Sequence, residues 1–245
     1  MRPVLILQTG DAPDDIRSRH GNFDDMFLHM GGLDAESATV VHIAKGEDPG
    51  DPGDYRGCIV TGSNAMVTDR DPWSENAADW LRAAHGHSLP ILAVCYGHQL
   101  LARALGGTID YLPGGQEAGT LELTLDLSCM HDPLLAGFPP RFPVNLTHSQ
   151  TVVEIPRGSW VMAGSERDKR QILVYGSLIY GVQFHPEFGG GVMRDYLDLA
   201  KREEPERRDE FESLSSSASE TPLAVLLLRR FISRLPDRRP VPHRN

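Results

Sequence analysis

Three short runs of apolar residues occur in the first hundred positions, and each passes directly into a loop or a helix. They cover residues 4–7, 58–61 and 90–94. A wholly apolar run of four or five residues is typical of a strand that is buried on both faces. Such a strand needs helices on both sides of its sheet. The runs therefore predict an α/β fold with a mostly parallel central sheet flanked by helices.

Helical patterns fill most of the gaps between these runs. The predicted helices span residues 16–30, 72–87 and 96–105, and a further predicted strand spans residues 39–43. Asp71 stands directly before Pro72, and we expect it to cap the second helix. Strands that alternate with helices in this way strengthen the prediction of a parallel sheet.

The second half of the chain has a different pattern. Residues 121–127 alternate between leucine and polar residues, which is typical of a strand with one exposed face. Further strands are predicted over residues 152–155, 161–164, 172–175 and 179–184, and a helix over 192–201. Turns rather than helices separate these strands. The sequence therefore adds a small antiparallel β portion to the fold.

Composition divides the chain into three regions. Residues 1–200 are predicted to form one domain. Residues 201–220 are charged and then rich in serine, which predicts a mobile linker or an irregular excursion. Residues 221–245 are predicted to form an apolar helix, which packs on the main domain, and a tail.

Arginine is frequent in this last region, which suggests an alternative for its helix. A basic amphipathic helix could instead dock on a partner or a membrane. The arginines concerned are Arg229, Arg230, Arg234, Arg238 and Arg239.

The charge balance limits the partners that the protein can bind. The chain has 24 basic and 34 acidic residues, a formal net charge of −10. An acidic chain lacks the basic face that phosphate binding requires, so no nucleic acid is expected. No apolar run approaches the roughly 20 residues of a membrane span, so no membrane role is expected.

The chain has three cysteines, an odd and small number, so no disulfide framework is expected. Because proteins without disulfides are typical of a reducing compartment, we expect a cytoplasmic protein.

One of these cysteines lies at the junction of an apolar strand and a helix. Cys95 directly follows the predicted strand 90–94, with Ala93 two residues before it and Gly97 two residues after it. This pattern is typical of a nucleophile elbow. The helix N-terminus behind the thiol favours the thiolate, and its unpaired N–H groups can hold an oxyanion. The alternative is a buried structural cysteine.

A cysteine nucleophile needs a histidine, and the histidine needs a group that orients it. His185 and Glu187 stand two residues apart at the end of an apolar strand, with Pro186 between them. Residues two apart in an extended chain point to the same side. We therefore expect Glu187 to hold one ring nitrogen of His185 while the other faces the thiol. The alternative is a surface His–Glu pair at a turn.

With these two motifs the sequence resembles the class I (triad) glutamine amidotransferases, the glutaminase domain found in GMP synthase. The motifs are Ala-Val-Cys-Tyr-Gly-His-Gln at residues 93–99 and Phe-His-Pro-Glu at residues 184–187. The resemblance covers about residues 3–200 and implies a flavodoxin-like fold. It also implies that Cys95, His185 and Glu187 hydrolyse the side-chain amide of glutamine through a thioester.

Two weaker segments resemble the same family. Residues 60–64 stand where the family has its oxyanion loop, which implies that the N–H groups of Ser63 and Tyr96 hold the oxyanion. Ser63 departs from the usual glycine, and an ordinary turn is the alternative. Residues 146–150 resemble the segment that lines the glutamine pocket. The residues implied to contact the substrate are Gln99, His148, Ser149 and Gln150.

Neither metal-ligand spacing nor a phosphate-binding glycine loop occurs in the sequence, so no metal and no cofactor are expected. The expected partner is a small-molecule substrate, glutamine or a γ-glutamyl compound. Three functions fit the expected fold. The first is a glutaminase that releases ammonia for an unidentified acceptor or a separate synthase subunit. The second is a stand-alone hydrolase of γ-glutamyl peptides or amides. The third is a non-catalytic regulatory or binding protein, which the complete triad disfavours.

Overall fold

The computed structural model describes residues 2–126, 129 and 131–236. Its strands are β1 (Val4–Gln8), β2 (Ala38–His42), β3 (Gly57–Val60), β4 (Ile91–Val94), β5 (Thr108–Tyr111), β6 (Glu117–Leu125), β7 (Arg141–His148), β8 (Gln150–Glu154), β9 (Trp160–Gly164), β10 (Ile172–Gly176) and β11 (Ile179–Val182). Its α-helices are α1 (Asp14–His20), α2 (Phe23–Gly31), α3 (Pro72–Gly86), α4 (Tyr96–Ala104), α5 (Gly190–Glu203), α6 (Arg208–Ser217) and α7 (Pro222–Ser233).

The central sheet has the strand order β2-β1-β3-β4-β11-β10-β9-β6-β7. The first five strands of this order run parallel, and the remaining neighbours pair antiparallel. Strands β5 and β8 form a second, small antiparallel sheet. The predicted α/β fold class is confirmed.

Both faces of the parallel part are buried, which explains the apolar runs. Val4 and Ile6 of β1 point into the core on the side of α2 and α7. Leu5 and Leu7 point to the other side, into the core formed with α3 and α4. Successive residues of a strand face opposite sides, so a strand covered on both sides has to be apolar throughout.

The predicted helix over residues 16–30 is wrong, because two helices stand in its place. Gly21 has a φ of 80°, which ends α1, and α2 begins at Phe23. The side chain of Asp25 accepts a hydrogen bond of 2.9 Å from the Asn22 N–H at this new start. Helix α3 follows Asp71 as predicted, but the Asp71 side chain makes no capping bond.

Two strands were missed by the sequence analysis. Strand β7 contains Pro143, which argues against a central strand, but β7 is the last strand of the sheet and Pro143 is tolerated at such an edge. Strand β5 is short and mostly exposed, so it lacks an apolar signal. Strand β6 ends at Leu125, and residue 127 of the predicted strand lies outside the described residues.

The linker or irregular excursion predicted over residues 201–220 is mostly helical in the structure. Helix α5 continues to Glu203, and α6 follows after a short turn. Phe211 of α6 is fully buried against Met193 and Leu197 of α5. The helix is therefore stabilised by tertiary packing, which a polar, serine-rich composition does not reveal.

The last helix packs on the central sheet. Four apolar side chains of α7 are fully buried in the core beside α2: Ala224, Leu227, Leu228 and Phe231. Arg230 donates hydrogen bonds to the carbonyls of Leu134 and Ala136, so its guanidinium group is bound within the chain. Arg238 and Arg239 lie outside the described residues, and the domain boundary at residue 200 stays a prediction. No described helix is long and apolar enough to cross a membrane.

Candidate active site

Cys95 occupies a sharp turn between β4 and α4. Its φ of 51° and ψ of −103° lie in a region that non-glycine residues rarely adopt. A Cβ atom on Gly97 would lie 2.9 Å from the carbonyl oxygen of Val60, so the neighbouring turn of helix has no room for a larger residue. This geometry presents the thiol at the carboxyl edge of the parallel strands.

His185 reaches the same edge from the adjacent strand. Strand β11 pairs in parallel with β4, with Val182 opposite Val94, and His185 follows three residues later. The His185 N–H donates a 2.8 Å hydrogen bond to the carbonyl of Asn145 on β7. The imidazole stacks on Phe188, with ring centroids 4.0 Å apart. Both contacts fix the position of the ring.

Glu187 lies behind the imidazole and is buried. Its Oε1 is 2.7 Å from Nδ1 of His185, which leaves the other ring nitrogen for Cys95. Burial lowers the pKa of His185, but the charges of Glu187 and Cys95, with their hydrogen bonds, raise it to about 10. The ring therefore carries both protons at neutral pH and can give one of them away.

A cavity of about 480 Å³ opens beside the thiol. It is lined by Cys95 and His185 and by the other residues that the sequence analysis singled out, except Glu187: Ser63, Tyr96, Gln99, His148, Ser149 and Gln150. A larger cleft of about 800 Å³ lies elsewhere, between β6 and β9, and contains neither Cys95 nor His185. The site at Cys95 is the one with groups suited to covalent chemistry.

The loop after β3 lies directly against the Cys95–His185 pair. A Cβ atom on Gly62 would lie 2.8 Å from Cε1 of His185 and 3.7 Å from Cβ of Cys95. The next residue, Ser63, lines the cavity. Tyr96 is the first residue of α4, and an α-helix leaves its first N–H groups without an internal partner.

Two of the residues implied to bind substrate use their side chains within the protein. The His148 ring lies 2.9 Å from the Gln150 carbonyl and 3.1 Å from the buried carboxylate of Glu117, so it points into a polar network rather than at a ligand. The Gln99 amide donates to the Gln150 carbonyl and to Gln183. Both side chains are held by Gln150 of the cavity wall, and their contact with substrate stays a prediction.

Gln150 differs from them. Its Nε2 donates to Thr68, while its Oε1 has no hydrogen-bond partner among the described residues. Ser149 also lines the cavity, and it stands between His148 and Gln150 on the same wall. Contact of Ser149 and Gln150 with substrate stays a prediction.

Asn145 is a supporting residue that was not found from the sequence. Its carbonyl holds the loop of His185, and its side chain donates to the carbonyls of Phe188 and Ser219. Asn145 belongs to β7, and recognition of that strand would have been the signal for it. Thr147 of the same strand lies in the segment 146–150 already singled out, and its carbonyl lies 3.6 Å from Sγ of Cys95. In the described part of the chain, no cluster of three or more potential ligands could hold a metal ion.

A comparison of the sequence with protein families gives a clear match. The sequence pattern of "Glutamine amidotransferase class-I" matches residues 32–199. The chain belongs to the class I glutamine amidotransferase family. The resemblance carried by the cysteine and histidine motifs is confirmed, and with it the assignment of the chain as an enzyme of amide hydrolysis.

Two kinds of protein are among the relatives of this chain. γ-Glutamyl peptidase 5 of Arabidopsis thaliana is 24% identical over 201 residues, which cover 80% of each chain. One subunit of the glutamine-hydrolysing GMP synthase of Ignicoccus hospitalis is 32% identical over 160 residues, 63% of this chain and 81% of the relative. A crystal structure of a glutamine amidotransferase from Thermotoga maritima superposes with a TM-score of 0.77 at 21% identity, covering 96% of this chain and 98% of the other. That likeness confirms the fold.

Proposed function

We propose that this protein cleaves the side-chain amide of glutamine through Cys95, His185 and Glu187 and releases ammonia. The observation that carries the proposal is the buried imidazole held between a carboxylate and a thiol at the edge of a parallel sheet. This arrangement supplies a nucleophile, an acid and a group that orients the acid. The acceptor of the ammonia is an unidentified compound or a separate synthase subunit.

The first half-reaction forms a thioester. The Cys95 thiolate attacks the amide carbon, and the carbonyl oxygen becomes an oxyanion held by the N–H groups of Ser63 and Tyr96. His185 donates its proton to the amide nitrogen. The C–N bond breaks, ammonia leaves, and the glutamyl group stays on the sulfur.

The second half-reaction returns the enzyme to its starting state. His185, now neutral, removes a proton from a water molecule that attacks the thioester carbonyl. The C–S bond breaks, glutamate leaves, and the thiolate and the imidazolium are restored. Glu187 keeps the ring in one orientation throughout because it accepts a hydrogen bond from the Nδ1–H group.

A stand-alone γ-glutamyl peptide hydrolase is the second candidate. Its support is the match to a γ-glutamyl peptidase over 80% of both chains. The cavity also continues beyond the thiol to the end of α5, where Leu199, Ala200 and Glu203 line it. That extension gives room for a leaving group larger than ammonia. The chemistry at Cys95 is the same for both candidates.

Glutamate release from purified protein tests the proposal, with glutamine and γ-glutamyl dipeptides compared as substrates. We expect hydrolysis by the natural protein and none by Cys95→Ala. Preference for glutamine, with activity raised by a co-purifying protein, supports an ammonia-donating subunit. Preference for dipeptides supports the hydrolase. If neither substrate is cleaved, alone or with cell extract, the catalytic proposal is wrong and a binding role remains.

A further inference from the structure

We propose that Thr9 and Thr61 are positioning residues that orient the Gly62–Ser63 peptide so that its N–H points at the substrate oxyanion. Thr9 directly follows β1 and Thr61 directly follows β3, which is the neighbouring strand. The inference rests on the proposed function, because an oxyanion forms only if Cys95 attacks an amide.

Five close contacts connect the two threonines with each other and with the loop, and one of them is a 3.3 Å distance between the two hydroxyl oxygens. The Thr9 N–H donates to Oγ1 of Thr61 at 3.1 Å. The Thr61 hydroxyl donates to the Gly62 carbonyl at 3.0 Å. The Thr9 hydroxyl lies 2.9 Å from the Thr61 carbonyl and 3.0 Å from the Gly62 carbonyl. Two hydroxyl protons thus serve two successive carbonyls, and both carbonyls are fixed.

The planarity of the peptide bond carries this constraint to the active site. In a trans peptide the C=O of one residue and the N–H of the next point in opposite directions. The Gly62 carbonyl points at the two threonines, which are completely buried. The Ser63 N–H therefore points away from them, toward the cavity that Ser63 lines.

The same peptide lies within contact distance of the reacting groups. A Cβ atom on Gly62 would lie 2.8 Å from Cε1 of His185 and 3.7 Å from Cβ of Cys95, so these two residues leave no space for a side chain there. On its other side the loop packs on Gly10, where a Cβ atom would lie 2.5 Å from Oγ of Ser63. The loop is therefore held between the end of β1 and the catalytic pair, and the hydroxyl groups decide how its peptide is turned.

Replacement of the hydroxyl alone tests the inference. Thr9→Val keeps the shape of the side chain and removes the hydrogen bonds, whereas Thr9→Ser keeps the hydroxyl. We expect Thr9→Val to lower kcat for glutamate release about tenfold or more with little change in KM, since loss of a single oxyanion donor costs about 100-fold or more. Thr9→Ser should restore most of kcat. Thr61→Val should behave like Thr9→Val.

Thr221→Val is the matched control. Thr221 is also buried, and its hydroxyl has no hydrogen-bond partner among the residues that the structure describes. It directly precedes α7, far along the chain from the proposed oxyanion loop. We expect its kcat to equal that of the natural protein.

A second measurement separates oxyanion binding from general damage. An aldehyde analogue of glutamine forms a tetrahedral adduct with a thiol, and the adduct carries the oxygen that the oxyanion hole binds. Affinity for this aldehyde should fall in Thr9→Val and Thr61→Val by the same factor as kcat/KM. The alkylation rate of Cys95 by iodoacetamide should stay unchanged in both.

The outcomes are distinct from those of the proposed function. An inactive natural protein refutes the proposed function. An active natural protein with normal kcat in Thr9→Val refutes the positioning role alone. Equal losses in Thr9→Val and Thr9→Ser, with slower alkylation of Cys95, also refute it, since they indicate damage to the fold. If Thr9→Val fails to fold, Thr61→Val and its serine counterpart give the same comparison.

Discussion

His185 combines burial with a positive charge, and its neighbours explain how. His185 is buried, and Phe188 stacks on its ring with centroids 4.0 Å apart, which removes water from it. Such an environment disfavours the charged form, but Glu187 lies at hydrogen-bond distance and restores it. The carboxylate therefore has two roles in the proposed mechanism, because it orients the ring and keeps it protonated.

Glu187→Gln tests the second of these roles, because it removes the negative charge that keeps the ring protonated. In the proposed mechanism the imidazolium is the acid that protonates the leaving ammonia, so activity should fall as the pH rises through the pKa of His185. Loss of the carboxylate lowers that pKa from about 10. We expect kcat to fall about 100-fold or more and the alkaline limb of the kcat profile to move to lower pH.

A pH series of glutamate release checks this expectation. Glu122→Gln, which changes an exposed carboxylate of β6, is the control and should leave the profile unchanged. An alkaline limb at the same pH in Glu187→Gln and in the natural protein would contradict the assigned role of the carboxylate.

Single residues also show how far sequence reasoning reaches. Cys95, His185 and Glu187 were predicted to lie together because each stands in a short local pattern next to a strand end. Thr9 and Asn145 were not singled out, because each acts through partners 40 or more residues away along the chain. His148 was assigned to substrate, yet its ring bonds Glu117, which is 31 residues away. Contacts of this kind leave no local signal.

Helix α4, which begins directly after Cys95, leaves no room for a side chain at Gly97. The Gly97 position in α4 faces the Val60 backbone at a distance that excludes a Cβ atom. Gly86 at the end of α3 offers a comparison, because a Cβ atom there would meet nothing within 4 Å. Both glycines are helical, and they differ in the space around them.

Alanine at these two positions should therefore have opposite effects. We expect Gly97→Ala to lower the free energy of unfolding by about 1–3 kcal/mol through overpacking, and to lower activity by displacing Cys95. Gly86→Ala should leave it unchanged or raise it by up to about 1 kcal/mol, since alanine favours a helix. Urea denaturation measures both. Equal stabilities for the two variants would show that the elbow is less crowded than its geometry indicates.

Element prediction succeeded where one signal dominated. The buried parallel strands β1, β3 and β4 are apolar except for Gln8 at the end of β1, and their bounds were predicted to within one or two residues. Strand β7 was not predicted because it contains Pro143, a residue that strands tolerate mainly at the edge of a sheet. Helix α6 was not predicted, because its serine-rich sequence is typical of a linker. Its stability comes from Phe211, which packs on α5.

For the molecule as a whole, the last helix completes the core on one face of the sheet. Helix α7 covers residues from β1 and α2, which lie at the other end of the chain. Its buried and exposed positions are clear: Phe231 is completely buried, whereas Leu226 is 36% exposed. The main body and the C-terminal helix thus share one core.

Two substitutions in α7 test this. Phe231→Ala removes a large buried side chain and should lower the free energy of unfolding by about 3–5 kcal/mol. Leu226→Ala, on the outer face, should lower it by less than about 1 kcal/mol. Chemical denaturation with a single transition is the measurement. A small effect of Phe231→Ala would show that α7 is a separable appendage, as the partner-docking alternative requires.

The pairing of β4 with β11 also bears on how the protein reaches its working state. Cys95 and His185 are 90 positions apart, yet they are brought together by one parallel strand pair. Contacts between such distant segments form slowly because a long loop has to close first. On a ribosome, Cys95 emerges well before the strand that aligns its partner. Return of hydrolysis during refolding should therefore report closure of this long-range pair rather than the earlier collapse of the first three strands.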